Sequence, residues 1–256
     1  MCFKKNIIPI TSKYVFLGFG INDYPGSGND LRGCVNDIND EIKKLNKEFP
    51  EFQCLKYFDS KVTTSFFVSE IQRVMSQMPE DGFLYIKYSG HGTQIPGNEA
   101  NKFHEALYLH NGPLIDDEIY KLQQQTPLTL KVLAKFDSCY SGDIGRNCFG
   151  NPVYMKPRFM PLQGVPVLTH PVNRLAKTDP GQRWIIFSGC GEEQTSADAF
   201  INGRYNGAFT WADLQSYARN TIYESELDIC RSFLWIRKFS QVPEISGPYE
   251  YETFNV

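Results

Sequence analysis

The sequence predicts an α/β fold, a mostly parallel sheet with helices packed against it. Three observations predict it. Short apolar runs rich in β-branched and aromatic residues alternate with stretches of helical period, the pattern of parallel strands joined by helical crossovers. The chain has 256 residues and is 41% hydrophobic, enough for a substantial core. Two of the apolar runs stop at small polar residues that carry a His and a Cys.

The run 14–19 (YVFLGF) is nearly all apolar, as a strand buried on both faces should be, and it opens into a loop over 20–33 that is rich in glycine. Residues 35–49 set Val35, Ile38, Ile42 and Leu45 three or four apart with charges between them, an amphipathic helix stopped by Pro50. Residues 52–58 alternate as a strand, and 64–78 repeat the helical spacing through Phe67, Ile71, Val74 and Met78. The run 82–88 (GFLYIKY) leads straight into SGHG, and 130–136 (LKVLAKF) straight into DSCYSG. Ligands of open α/β sheets bind beyond the carboxyl ends of the strands, so two parallel neighbours would deliver both side chains to one edge. A helix over 116–124 fits the crossover between them. Six prolines between 142 and 181 break any period, and that stretch reads as a long loop with an excess of Arg and Lys. A strand over 183–187 that leads to Cys190, then helices over 208–222 and 226–239, complete the chain.

Charge closes at 26 Lys and Arg against 29 Asp and Glu, a net −3 that offers no field for nucleic acid or an anionic membrane. No apolar run approaches the roughly 18–20 residues that cross a bilayer. The first dozen residues, broken by Lys4, Lys5, Asn6 and Pro9, carry no secretory signal. Seven cysteines without a CxxC pair, and no HExxH helix, read as reduced thiols of a cytoplasmic protein rather than as a disulfide framework or a local zinc site. A dinucleotide fingerprint around Gly18 and Gly20 fails, because the third glycine is misplaced and the helix begins only near Val35.

A thiol attacks a carbonyl as the thiolate, and His is the usual neighbouring base. YSGHG and DSCYSG meet that need: their glycines let a substrate backbone approach and leave amides free to point at an oxyanion. At these motifs the sequence resembles the metacaspases, caspase-like cysteine peptidases. LRGCVND (31–37), YSGHGTQ (88–94), LIDDEI (114–119), DSCYSG (137–142), QTSADA (194–199), GAFTWA (207–212) and QVPEISG (241–247) follow in the family's order, over about residues 13–247.

The resemblance implies a caspase-like three-layer α/β/α sandwich with a mostly parallel mixed sheet. It implies one peptidase domain over 1–256: a large-subunit-like half (13–142), a basic Pro-rich linker (143–181) and a small-subunit-like half (182–256). Carried over, Cys139 is the nucleophile, His91 the general base and later acid, and the amides of Gly92 and Cys139 the oxyanion hole. Peptide bonds would be cut after Arg or Lys through a thioester. Asp37, Asp137, Ser89 and Cys34 are the substrate-binding candidates. The two carboxylates and the hydroxyl can converge on an acidic pocket for a cationic side chain. Asp37 also reads as a first-turn acid that complements a helix dipole, and Asp137 as a carboxylate that fixes its loop. Arg32 is the one residue that could serve an Asp-selective pocket instead.

Asp116 and Asp117 either favour a helix start or, with Asp143, bind Ca2+ as the matching aspartates do in several metacaspases. No cofactor is otherwise required. Arg146, Lys156, Arg158, Arg174 and Lys177 either expose the linker to self-cleavage or only keep it soluble. Asp198, in a motif that shapes the family's substrate cleft, is not expected to touch substrate. Cys190 ends a strand at the same edge and either borders the site or, as the simpler reading has it, is buried filler, and His104, His110 and His170 receive no role. The expected partners are protein or peptide substrates with a basic residue before the cut, the expected state a monomer. The competing reading is a caspase-like scaffold that binds a partner without turnover.

Overall fold

Strand β1 (Tyr14–Gly20) is the apolar run expected to be buried on both faces, and all but its first residue are buried. The computed structural model describes residues 8–97, 103–139, 155–164, 181–191, 194, 196–249 and 252–254. Strands β2 (Gln53–Phe58) and β3 (Phe83–Ser89) flank β1 in parallel. Strand β4 (His91–Pro96) turns away from β3 and pairs antiparallel with β5 (Phe103–Leu109), which pairs with β6 (Gly112–Ile115). The crossover expected as one helix therefore also carries a small three-stranded sheet. Strand β7 (Lys131–Asp137) returns parallel to β3.

Beyond β7 come β8 (Met155–Pro157), β9 (Ile185–Ser188), β10 (Ala197–Ile201), β11 (Arg204–Gly207) and β12 (Glu244–Ser246). The main sheet runs β12-β9-β7-β3-β1-β2, parallel throughout except for β12. Strands β11, β10 and β8 form a separate antiparallel sheet. The stretch expected as a plain loop over 143–181 thus holds a strand, because 155–157 finds an unpaired edge on β10.

Side chains alternate across the main sheet. Leu17, Phe19, Leu84, Ile86, Ala134 and Phe136 face one apolar cluster with α2 (Thr64–Gln77) and α3 (Asp116–Gln125). Phe16, Tyr85 and Leu133 face a second cluster with α1 (Cys34–Glu48), α4 (Ala208–Asp213) and α5 (Tyr223–Ile236). Helices on both faces of a mostly parallel mixed sheet make the three-layer sandwich. The helix expected over 208–222 stops at Asp213, where turn hydrogen bonds at Gln215 and Ser216 replace the helical ladder, and α5 begins three residues earlier than expected. Thr63 caps α2 by accepting the Phe66 amide.

On the second face Lys87 and Lys135 are buried among acids. The Lys87 ammonium lies 3.0 Å from Glu41 and 3.6 Å from Asp213; Lys135 lies 2.9 Å from Asp213 and also contacts Glu226. Three carboxyls share two ammonium groups, and burial pushes the Glu226 carboxyl up to about 8, so Glu226 keeps its proton at neutral pH as the surplus acid. The network ties α1, α4 and α5 to the central strands. No helix among the described residues is long and apolar enough to cross a membrane.

Candidate active site

Register brings the two motif-bearing strands level, since Gly20 of β1 pairs with Ser89 of β3 and Ser89 with Asp137 of β7. His91 and Cys139 each stand two residues beyond that edge. Three neighbours fix His91, which is 1% exposed. Its amide donates to the Tyr24 hydroxyl at 2.8 Å, and its carbonyl accepts from the Tyr88 hydroxyl at 2.8 Å. Its ring Nε2 meets the Asn29 carbonyl at 2.7 Å. A carbonyl only accepts, so Nε2 carries the proton and Nδ1 keeps its lone pair; Nδ1 has no hydrogen-bond partner among the described residues. Burial pulls the imidazole down to about 4, hence it is neutral at pH 7.

The Cys139 thiol lies 3.1 Å from the Gln194 carbonyl. The two amides expected to form an oxyanion hole meet on a single atom: Gly92 N donates to the Arg158 carbonyl at 2.9 Å and Cys139 N to the same oxygen at 3.2 Å. That oxygen belongs to the segment that continues β8. Met155, Lys156 and Pro157 pair antiparallel with Ala199, Asp198 and Ala197, and Arg158 N donates to the Ser196 carbonyl at 3.0 Å. The stretch 155–158 is therefore extended and passes in front of the Gly92 and Cys139 amides.

The Arg158 side chain is fully buried and enters the acidic pocket. One nitrogen, Nη2, lies 2.7 Å from Asp37 and 3.0 Å from Asp198; the other, Nη1, lies 3.1 Å from the Asp137 carboxylate and 2.7 Å from the Ser89 hydroxyl. Each wall is itself anchored. Asp137 accepts from Ser196 Oγ at 2.6 Å and from the Thr210 amide and hydroxyl at 2.9 and 2.6 Å. Asp37 accepts from Ser89 Oγ at 2.6 Å, from Asn206 Nδ2 at 3.0 Å and from Gly207 N at 2.9 Å. Burial pushes the Asp37 carboxyl above its ordinary value against the pull of Arg158. A Cβ on Gly207 would sit 2.1 Å from the Asp137 carboxylate and 2.5 Å from Arg158 Nη1, so only glycine leaves room for both.

Asp37, Asp137 and Ser89 are thus gathered in one pocket. Cys34 is buried beside it, close enough that Arg158, Asp198 and Asp37 all act on its thiol, which burial holds well above its ordinary value. Asp198, which was not expected to touch substrate, forms part of the pocket wall. It bonds Arg158 from the pairing edge of β10 and accepts the Arg32 and Gly33 amides at 2.8 and 2.9 Å. The Arg32 side chain turns outward and stacks on the Tyr205 ring at 5.0 Å. Cys190 is buried, and its apolar neighbours Cys139 and Phe159 put it at the border of the site. Sequence reasoning also missed Asn29, Ser196, Gly207 and Thr210. Asn29 acts through its backbone carbonyl, which no side-chain pattern announces, whereas Ser196, Gly207 and Thr210 lie inside motifs already singled out.

Asp116 and Asp117 fall with His104 in a group whose ligand atoms lie within 4.8 Å of one another, and Asp143 lies outside the described residues. Calcium takes six to eight oxygens, and two carboxylates with an imidazole nitrogen do not by themselves fit it. The His104 ring lies 3.4 Å from Asp116, a contact that accounts for part of the cluster.

Chemically, a thiol and a neutral imidazole at adjacent strand ends, with two amides aimed at one peptide carbonyl, suit sulfur attack on a peptide bond, the work of cysteine peptidases. The caspase domain family model matches residues 15–248, so the chain belongs to that family, on its metacaspase side. Its relatives include Metacaspase-1 of Coccidioides immitis, 28% identical over 95% of this chain and 63% of the relative. Metacaspase-1 of Meyerozyma guilliermondii is 28% identical over 90% of this chain and 68% of its own length. The chain thus spans about two thirds of these relatives. In fold it is similar to a protein from Geobacter sulfurreducens, at TM-score 0.69 and 20% identity over 95% of this chain and 97% of the other. It is also similar to Caspase-1 from Spodoptera frugiperda, at TM-score 0.61 and 13% identity over 96% and 92%.

Proposed function

We propose that the chain is a cysteine endopeptidase that cuts after Arg or Lys, and that its own linker, at the Arg158–Phe159 bond, is its first substrate. One observation carries the reading. The Arg158 guanidinium fills the pocket of Asp37, Asp137 and Asp198 while its carbonyl receives the amides of Gly92 and Cys139.

In the reaction, His91 Nδ1 takes the thiol proton as Cys139 Sγ bonds to the Arg158 carbonyl carbon. Charge that develops on the carbonyl oxygen falls on the two amides already in place. Collapse breaks the Arg158–Phe159 bond, and His91 returns the proton to the departing Phe159 nitrogen. Water, deprotonated by His91, then attacks the thioester, which frees the Arg158 carboxylate and restores the thiol. The Asn29 carbonyl holds the imidazole in the tautomer this needs. No step calls for a metal; calcium held by Asp116, Asp117 and Asp143 would act by regulation outside this sequence of steps.

Lysine reaches the same carboxylates with a single ammonium, so the pocket takes either cation but grips the guanidinium at more points. The reading extends to a cytoplasmic monomer that acts on protein or peptide substrates. The test is a fluorogenic Lys-Pro-Arg peptide. Hydrolysis by the wild type and none by Cys139→Ala supports the reading, whereas silence from the wild type with and without calcium leaves a scaffold.

A further inference from the structure

The chain beyond Arg158 is held as firmly as the chain before it. Phe159 and Met160, the first and second residues after the cut, are 6% and 5% exposed. Phe159 packs in a small cluster with Cys139 and Cys190, and Met160 joins the large apolar cluster of the first sheet face. Main-chain bonds fix the same two residues. Gly92 bridges Phe159 in parallel register: its N–H donates to the Arg158 carbonyl, while its own carbonyl accepts the Met160 amide at 2.8 Å. The fully buried Thr93 hydroxyl donates to the Met160 carbonyl at 2.6 Å. One residue thus serves the oxyanion on one side and the leaving peptide on the other, and the next residue extends the clamp.

Resting on the peptidase reading above, we propose that the site selects substrates on both sides of the scissile bond, taking an aromatic residue directly after the cut and a bulky apolar residue after that. Thr93 is the residue that anchors the second of these through its main chain. The preferred substrate class is a peptide of the form basic, aromatic, apolar, with the cut after the basic residue. Cys190 sets the floor for the aromatic ring. Hydrogen bonds to Gly92 and Thr93 keep the new amino terminus beside His91 after the acyl group has passed to sulfur, so departure of the leaving peptide becomes a controlled step.

Three substrates on the same full chain test this: Met-Lys-Pro-Arg-Phe-Met and Met-Lys-Pro-Arg-Gly-Gly as internally quenched peptides, and Met-Lys-Pro-Arg-aminomethylcoumarin. Competition from the linker acts on all three alike and cancels in their ratios. The Phe-Met peptide should exceed the Gly-Gly peptide in kcat/KM by roughly tenfold or more, from burial of two large side chains. Thr93→Val should lower the ratio of the Phe-Met peptide to the coumarin substrate by about three- to tenfold, the worth of one hydrogen bond, and Thr93→Ser should restore it. Equal cleavage of the two peptides overturns the inference and leaves cleavage after Arg intact. A Thr93→Val loss that is the same on all three substrates overturns the anchoring role and marks Thr93 as structural. Failure to cut any of the three overturns the peptidase reading and the inference together.

Discussion

Replacing Arg158 by alanine takes a guanidinium out of a pocket in which three carboxylates approach it at 2.7, 3.0 and 3.1 Å, all essentially without exposure. Removing one partner of a buried ion pair strands the other, at a cost of about 3–5 kcal/mol. Here the pocket can admit water once the side chain is gone, so the lower end applies, about 3 kcal/mol. For a chain of this size that is a fall in Tm of roughly 6–12 °C. The comparison is best made in a Cys139→Ala background, which cannot cut itself. Thermal melts of Cys139→Ala and of Cys139→Ala with Arg158→Ala should differ by that amount, and N-acetylarginine amide should recover part of it in the double variant only. A double variant that melts within about 1 °C of the single one, with no response to the ligand, would refute the seating of Arg158 in the pocket.

Gly207→Ala places a methyl group against the Asp137 carboxylate and the arginine fork, and should lower kcat/KM for Arg peptides at least tenfold with little change in fold by circular dichroism. His91 is held neutral with a folded-state value of about 4 against an ordinary 6.5, so its share of stability is complete above about pH 6.5 and is lost as pH falls toward 4. That share reaches about 3 kcal/mol, and urea melts of Cys139→Ala between pH 7 and 4.5 should show a slope that His91→Gln lacks. Lys135→Met leaves Asp213 with only the more distant Lys87 ammonium and should cost about 3 kcal/mol, the low end for a broken buried pair, in urea unfolding. Glu226→Gln should change stability little at pH 7, since that carboxyl is already the surplus acid of the cluster.

Much of this frame was legible in residue order because two rules act locally. Apolar runs fix strands, and small residues end them, so residue order alone places β3 and β7 at one edge with the His and Cys beyond their ends. The pocket was half legible. Asp37, Asp137, Ser89 and Asp198 all lie in motifs, but Asp198 reaches the guanidinium only because β10 lies against β8, a pairing between residues about 40 apart that no local period encodes. The strand in the linker was hidden for a related reason. The sequence MKP has neither alternation nor length, and it is extended because an unpaired edge and an acidic pocket receive it. Lys87 and Lys135 carry a signal in the sequence itself: a lysine inside an otherwise apolar strand must find a buried acid, and Glu41, Asp213 and Glu226 supply it. The helix over 208–222 was overestimated because periodicity continues through Tyr217 although the backbone turns after Asp213.

The most direct measurement is the intact mass of the freshly purified full chain beside its Cys139→Ala form, followed over time at two protein concentrations. The account predicts that the wild type separates between Arg158 and Phe159 at a rate independent of concentration, as expected of a bond already lodged in its own cleft, and that Cys139→Ala stays whole. A wild type that stays whole, or one that is cut elsewhere while Arg158–Phe159 survives, would contradict it.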